Sequence, residues 1–197
     1  QAAAYAFAAA ILPDGKTGLV TNEGRGTVSV VNLGVDGQAP ALVQDIAVGA
    51  PLPAVGAADQ TGQRRELGDY RGKPVVVFFY PKDGSPGCTT EACDFRDRQA
   101  ALAGSNAVVL GVSILDSASK AKFATKHGLN FPLLADADHV VAEAYGAWQE
   151  RSMYGRTFMG VARITYLIAP DGTVAQRWDK VSVTGHADAV LEAIRAL

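Results

Sequence analysis

The sequence predicts an α/β fold, with a mixed sheet flanked by helices and a short β-rich extension before it. From about residue 46 onward, continuous apolar runs alternate with segments of helical periodicity. Residues 1–45 instead contain short β-prone runs at 19–21 and 27–31 between turn signals, without a helical period. The 197 residues suit one generous domain, or one ordinary domain with an appendage. We therefore expect two domains, 1–45 and 46–197.

Charge and composition exclude several classes of protein. The 18 Lys and Arg residues against 20 Asp and Glu give a net charge of −2, and no basic block suggests nucleic-acid binding. No run approaches the roughly 18 apolar residues of a membrane span. The two cysteines cannot form a disulfide framework, and with only three scattered histidines a zinc site is not expected.

The first predicted elements of the larger domain are two buried strands, each followed by a helix. Residues 74–80 and 108–115 are continuous apolar runs, as expected for strands buried on both faces. Residues 86–102 suit one helix and residues 117–127 another. In the second helix, we expect these side chains to face inward: Ala121, Phe123 and Ala124.

The end of the chain predicts a hairpin and a helix. Segments 162–169 and 173–178 flank a Pro-Asp-Gly turn. The last helix, 186–197, has one apolar face, formed by Ala187, Val190, Leu191, Ile194 and Leu197. The element order is then β-α-β-α, a loop and helix excursion, and β-β-α. That order favours a thioredoxin-like arrangement.

Cys88 occupies a position that favours a reactive thiol. Ser85 is a good N-cap and Pro86 suits the first helical position, so Cys88 is expected at the third position. Unpaired N–H groups and the positive end of the helix dipole lower the pKa of a thiol placed there. An inert, buried thiol is the alternative. The Ser-Pro-Gly approach favours the reactive interpretation for Cys88, while both remain open for Cys93.

A reactive thiolate also needs groups that stabilise its substrate, because nucleophilicity falls as the pKa falls. The Ser85 hydroxyl and the backbone N–H groups at the helix start are candidates for binding an oxygen-rich substrate. Arg163, near the start of a late strand, is our candidate for a cation. Sequence spacing alone does not place it beside Cys88, and a solvated strand charge is the alternative.

The spacing of the two cysteines has a geometric consequence. On one regular helix, the Cα atoms of Cys88 and Cys93 would lie about 8.6 Å apart, with side chains pointing about 140° away from each other. A disulfide needs Cα atoms within about 7 Å. Either the two cysteines never pair, or the first helical turn unwinds when they do.

Two segments carry a resemblance to a known family. Residues 72–83, GKPVVVFFYPKD, and 86–96, PGCTTEACDFR, resemble the peroxiredoxin Q group, also called bacterioferritin comigratory protein. The similarity covers about residues 46–197. It continues through shorter matches at 110–113, 131–134, 154–155, 159–160, 163–166 and 185–187.

The resemblance implies a thiol-dependent peroxidase with a thioredoxin fold that reduces hydrogen peroxide and organic hydroperoxides. Cys88 would be the peroxidatic cysteine and Cys93 the resolving one. Their intramolecular disulfide would be recycled by thioredoxin or a similar dithiol. The resemblance implies no metal, haem or flavin. A monomer in the cytoplasm is expected, unless the N-terminal segment pairs with another chain.

The resemblance also assigns the peroxide-binding residues. Pro81, Ser85 and Cys88 match the family's Pro-x-x-x-Thr/Ser-x-x-Cys signature, and Gly87 within it is a further expected substrate-binding residue. Arg163 matches the distant arginine that completes the site. Ser85 stands where threonine is commoner. It keeps the hydroxyl but lacks a methyl group that restricts rotamers, so we expect a modest effect on rate.

Residues 1–45 resemble something else, one blade of a YVTN-type β-propeller, through LPDGK at 12–16 and LVTNEGRGTVSVVN at 19–32. A lone blade cannot bury both of its faces. The segment could be part of a longer propeller–peroxidase fusion, a small sheet packed on the peroxidase domain, or an arm that pairs with another chain. A propeller-like segment favours a periplasmic or extracytoplasmic location.

Two other functions remain as alternatives. A thiol–disulfide oxidoreductase of the thioredoxin type would usually carry Cys-x-x-Cys, whereas four residues separate the cysteines here. A binding or scaffold module would instead act through the N-terminal β segment, with the thiols redundant.

Overall fold

The chain divides into two compact units, residues 1–47 and 48–197, in a computed structural model. The structure describes residues 48–49, 56–153 and 155–197, together with the backbone of strands at 6–11, 17–22, 27–32 and 41–43. Within these ranges, no helix is long and apolar enough to cross a membrane.

The N-terminal unit contains a four-stranded antiparallel sheet whose strands pair in chain order. Its strands are β1 (Ala6–Ile11), β2 (Thr17–Asn22), β3 (Thr27–Asn32) and β4 (Ala41–Val43). Both β-prone runs predicted from the sequence lie within these strands, so the β-rich character of the extension is confirmed. The turns predicted at 13–15 and 24–26 lie outside the described residues.

The larger unit is built on a seven-stranded mixed sheet with the order β13-β12-β7-β8-β9-β5-β6. Strand β7 pairs in parallel with β8, and β8 with β9, while the other pairs are antiparallel. The strands are β5 (Gly56–Ala58), β6 (Arg64–Glu66), β7 (Val75–Phe79), β8 (Val108–Ser113), β9 (Leu133–Ala135), β12 (Ile164–Ile168) and β13 (Val174–Trp178).

Five α-helices of the described residues accompany the sheet, and a separate antiparallel hairpin is formed by β10 (Trp148–Met153) and β11 (Arg156–Val161). The helices are α1 (Pro86–Asp97), α2 (Gln99–Gly104), α3 (Ser117–His127), α4 (Val140–Ala144) and α5 (His186–Arg195). A short 3₁₀ helix spans Leu67–Tyr70. The predicted thioredoxin-like α/β architecture is therefore confirmed, with the following differences.

The helix predicted over 86–102 is divided in two. Arg98 adopts φ −96° and ψ 4°, which ends α1 before α2 begins at Gln99. The Arg98 guanidinium forms an ion pair with Asp188 of α5, so the side chain is directed toward another helix at this break. Leu197 lies beyond the end of α5 and is 55% exposed, so its predicted place on the buried face is wrong.

Two regions contain more strand than the sequence predicted. The hairpin of β10 and β11 and the short strand β9 occupy the stretch interpreted as a loop and helix excursion. The β5–β6 hairpin was also not predicted. In α3, Phe123 and Ala124 are buried as expected, whereas Ala121 is only half-buried.

The core lies on both faces of β7, whose five residues are all buried. On one face, Phe78 stacks on Phe95 of α1 with ring centroids 4.9 Å apart. On the other face, Phe79 contacts Tyr145 and Tyr166, with ring centroids 5.4 and 6.3 Å away. The central strand is thus fixed from both sides, and the loop that follows it leaves from a rigid edge.

Candidate active site

The loop between β7 and α1, together with the first turn of α1, carries most of the predicted site. Pro81 is half-buried just after the strand, and Ser85 is the N-cap of α1 with an extended backbone, φ −70° and ψ 149°. Pro86 is the first helical residue, which places Cys88 third, as the sequence predicts. The Ser85 side chain makes no capping hydrogen bond. Ser85 therefore occupies the N-cap position that the sequence predicts, but its hydroxyl accepts no hydrogen bond from the N–H groups of the first turn.

The structure brings Arg163 to Cys88. Nη2 of Arg163 donates a hydrogen bond to Sγ of Cys88 over 3.2 Å. Cys88 is 1% exposed and the Arg163 side chain 18%, so the contact lies in a largely desolvated place, where charge interactions are stronger than in water. Gly87 lies alongside, since a Cβ atom there would be 3.5 Å from Nη2 of Arg163.

Strand pairing explains this approach. Arg163 directly precedes β12, and β12 runs antiparallel to β7 with Ile164 opposite Phe79. The start of β12 is therefore at the same edge of the sheet as the end of β7. The loop to α1 leaves from that edge, so the two parts of the site meet although 75 residues separate them.

Glu91 is a site residue that the sequence analysis did not single out. Its wholly buried carboxylate forms an ion pair with Nη1 of Arg163, while Nη2 of Arg163 donates a hydrogen bond to Sγ of Cys88. Glu91 follows Cys88 by three residues, a spacing that puts both on one helix face and could have indicated its role.

The pKa values of this pair reflect burial and mutual attraction. Burial raises the pKa of Glu91 to about 7, and Arg163 offsets part of that effect. Burial acts to lower the pKa of Arg163, but Glu91 and Cys88 outweigh it, so the pKa of the guanidinium is raised. Arg163 therefore stays charged at any physiological pH, while Glu91 can change its charge near neutrality.

Cys93 is not part of this cluster. It lies in the same helix α1 as Cys88, is half-buried, and both thiols are free. The geometric obstacle predicted from the sequence therefore applies to this conformation, in which α1 is intact. Among the described residues, no group of three or more His, Cys, Asp and Glu side chains could hold a metal ion.

Comparison with known proteins identifies the family of this chain. Residues 48–177 match the AhpC/TSA family. The chain is 41% identical over 150 residues to peroxiredoxin Bcp of Bacillus subtilis, covering 76% of this chain and 96% of the relative. It is 41% identical over 152 residues to peroxiredoxin Bcp of Escherichia coli, covering 77% and 94%. The chain belongs to the peroxiredoxin Q/Bcp family.

This peroxiredoxin also resembles solved structures of the family. The bacterioferritin comigratory protein of Xanthomonas campestris, studied for its alkyl peroxide reduction activity, matches with a TM-score of 0.72 and 38% identity. The match covers 76% of this chain and 98% of the other. The protein is thus a thiol peroxidase with a thioredoxin-like fold, as the resemblance implied. The family match begins at residue 48, so the likeness of residues 1–45 to a propeller blade stays a prediction.

Proposed function

We propose that Cys88 is the peroxidatic cysteine of this peroxiredoxin and that Ser85 and Arg163 bind the peroxide beside it. The 3.2 Å contact between Nη2 of Arg163 and Sγ of Cys88 carries this proposal. A nearby cation favours the thiolate form of a cysteine, which is the nucleophile. A guanidinium also presents several donors in a fixed plane, so it can orient a peroxide while it contacts the sulfur.

The first step is a displacement at oxygen. The Cys88 thiolate attacks the terminal oxygen of the peroxide, a sulfur–oxygen bond forms, and the O–O bond breaks. The electron pair of that bond leaves on the second oxygen, which takes up a proton to give water or an alcohol. The sulfur is oxidised by two electrons to a sulfenic acid. Donors from Arg163 and Ser85 stabilise the charge that develops on the leaving oxygen.

The second step forms the disulfide. The Cys93 thiolate attacks the sulfenic sulfur of Cys88, an S–S bond forms, and the S–O bond breaks, with the leaving oxygen taking up a proton from solvent to depart as water. Because both cysteines lie in α1, the helix must unwind locally before the sulfurs meet. A dithiol donor then reduces the disulfide by thiol–disulfide exchange.

Glu91 has a positioning role in this scheme. It does not contact the sulfur, but it holds Nη1 of Arg163 and thereby aims Nη2 at Cys88. Pro81 and Gly87 shape the loop around the peroxide. Gly87 also leaves the face of the helix start open beside the guanidinium.

The reductant, assembly and location follow as further proposals. We take thioredoxin as the donor, acting on a monomeric peroxidase in the cytoplasm, where thioredoxin keeps dithiols reduced. Peroxide-dependent NADPH oxidation with thioredoxin and thioredoxin reductase tests the donor. Replacing thioredoxin by glutathione and glutaredoxin should lower the rate. Sedimentation of the full chain tests the monomer.

Residues 1–45 and 46–197 are proposed as two domains, the first resembling one propeller blade. The four-stranded sheet in chain order supports this, because propeller blades are four-stranded antiparallel sheets.

The assignment of the two cysteines is tested by peroxide consumption with thioredoxin present. Cys88→Ser should abolish turnover. Cys93→Ser should consume about one equivalent of peroxide and then stop, because the sulfenic acid forms but is not resolved to a disulfide. Full turnover by Cys88→Ser would refute the peroxidatic assignment, and normal cycling by Cys93→Ser would refute the resolving one.

A further inference from the structure

A second pair of charged side chains, Lys120 and Asp83, is buried beside the start of the site. Nζ of Lys120, in α3, is 2.8 Å from Oδ1 of Asp83, in the loop between β7 and α1. The Lys120 side chain is wholly buried, and that of Asp83 is 5% exposed. An ion pair that is shielded from solvent therefore joins this loop to α3.

Three hydroxyl groups complete the pair. Tyr80 donates to Oδ1 of Asp83 over 2.7 Å, Ser113 donates to the same oxygen over 3.3 Å, and Ser119 donates to Oδ2 over 2.8 Å. Lys120 in turn donates to Oγ of Ser113, and its ammonium lies 5.0 Å from the centroid of the Tyr80 ring. The network thus joins the ends of β7 and β8, the start of α3 and the loop.

The ionisation of these groups agrees with the geometry. Burial lowers the pKa of Lys120, but the charges of Asp83, Asp116 and Cys88 act in the opposite direction. Burial and Asp83 raise the pKa of Tyr80 well above its usual value, so its hydroxyl remains a donor to the carboxylate.

Stability alone gives little reason for such a network. Desolvating each ion is unfavourable, and apolar side chains in place of a buried ion pair are often neutral or stabilising. The position of Asp83 supplies another reason. Asp83 precedes Ser85 by two residues and Cys88 by five, and the intervening Gly84 has a left-handed backbone with φ 74°. Because Asp83 is so near to Ser85 and Cys88 in the chain, a shift of Asp83 would displace the loop and the helix start.

We infer that Lys120 and Asp83 are positioning residues for peroxide reduction, whose buried pair holds the loop so that Ser85 and Cys88 face Arg163. The inference rests on the proposed function of Cys88 and extends it to residues outside the proposed peroxide-binding set. Catalysis is sensitive to such placement, since a displacement of about 1 Å can cost on the order of 100-fold in rate.

The test compares three measurements on the full chain carrying Lys120→Met together with Asp83→Asn, a change that removes both charges at once. The first is the rate constant for oxidation of Cys88 by hydrogen peroxide in a single turnover. The second is the rate of alkylation of Cys88 by iodoacetamide against pH, which reports ionisation without requiring a positioned peroxide. The third is thermal unfolding. Lys122→Met, on the exposed part of the same helix, is the matched control.

We expect the double variant to lose about tenfold or more in the peroxide rate constant, while the alkylation profile and the control stay within twofold of the parent. A peroxide rate constant within twofold of the parent would overturn the inference. So would a loss matched by an equal loss in alkylation, because the pair would then act on ionisation or on folding.

A further variant keeps the test decisive if the double variant does not fold. Tyr80→Phe removes one donor to Asp83 without changing charge, and we expect at least a threefold loss in the peroxide rate constant with unchanged alkylation. An unchanged rate constant would overturn the inference. Cys88→Ser separates the two claims: activity in that variant refutes the proposed function, whereas an inactive Cys88→Ser with a fully active Tyr80→Phe refutes only the positioning role.

Discussion

Arg163 donates a hydrogen bond from Nη2 to the sulfur of Cys88 across 3.2 Å, and its other terminal nitrogen is held by the buried carboxylate of Glu91. One guanidinium therefore connects the candidate nucleophile to a carboxylate on the same helix. The fold provides this arrangement by pairing β12 antiparallel to β7, which brings Arg163 to the start of α1.

The rate of peroxide reduction should depend on the planar shape of the Arg163 guanidinium as well as on its charge. Arg163→Lys keeps the charge but cannot contact Cys88 and Glu91 at once through a planar fork. We expect the rate constant for peroxide reduction to fall about 100-fold, the usual loss for one donor to a developing oxyanion. Stopped-flow kinetics measure it, with Arg195→Lys on the exposed end of α5 as control. A value within twofold of the parent would contradict the role of Arg163.

Glu91 should make the activity depend on pH in a specific direction. Its pKa is about 7, so the carboxylate is charged and pairs with Arg163 above that pH and is neutral below it. Glu91→Gln removes the charge at every pH. The ratio of the parent rate constant to that of the variant should therefore rise as the pH increases through 7, to roughly tenfold at pH 8.5.

Measuring both proteins at each pH cancels ionisation that they share. A ratio that stays constant between pH 5.5 and 8.5 would show that Glu91 does not act through its charge.

Disulfide formation should reduce the α-helix content of the protein. The two cysteines lie in the twelve-residue α1, and their pairing requires part of it to unwind. Adding one equivalent of hydrogen peroxide to the reduced protein should lower the far-ultraviolet circular dichroism signal of α-helix. Thioredoxin should restore it. Cys93→Ser, which forms only the sulfenic acid, should keep the full signal, and an equal loss in this variant would argue against unwinding as a consequence of pairing.

His186 should govern part of the acid stability of the larger unit. His186 is buried, and its Nε2 lies 2.8 Å from Oγ1 of Thr165. Its ring packs edge-on between Phe95 and Trp178. Burial, with a smaller effect of Arg163, lowers its pKa from 6.5 to about 4. Below pH 6.5 the unfolded chain takes up a proton that the folded protein refuses until about pH 4, so the stability present above pH 6.5 is lost as the pH falls.

The loss amounts to about 3 kcal/mol at most. Urea denaturation of the parent and of His186→Gln at several pH values measures it. Subtracting the two curves isolates His186 from Glu91, whose raised pKa changes stability in the opposite direction over part of this range. Parallel curves for the two proteins would contradict the assignment.

Local patterns in the sequence were sufficient for the part of the site around Cys88. An unbroken apolar run identifies β7, and the sequence Ser-Pro-Gly-Cys fixes the start of α1, because both depend on neighbouring residues only. The place of Arg163 could not be obtained in this way. It depends on the pairing of β12 with β7, a contact between segments far apart in the chain.

Other features could not be predicted from the sequence, because they depend on tertiary contacts. Lys120 lies in a helix rich in polar residues, where a lysine is normally exposed, and its burial depends on partners from other elements, Asp83 and Ser113. In the β10–β11 hairpin, residues 149–152 are all polar and the apolar Phe158 and Met159 are exposed, so the strands lack the alternation that indicates a half-buried strand. Arg98, which ends α1, looks like an ordinary helix former in the sequence.

The most direct measurement is the position of the first oxidation. The reduced protein is mixed with one equivalent of hydrogen peroxide in the presence of dimedone, quenched within milliseconds to seconds, and mapped by mass spectrometry. We predict that dimedone labels Cys88 in the Cys93→Ser variant, and that a Cys88–Cys93 disulfide accumulates in the parent. Labelling of Cys93 in the parent protein, with Cys88 left as a free thiol, would contradict the assignment of Cys88 as the peroxidatic cysteine.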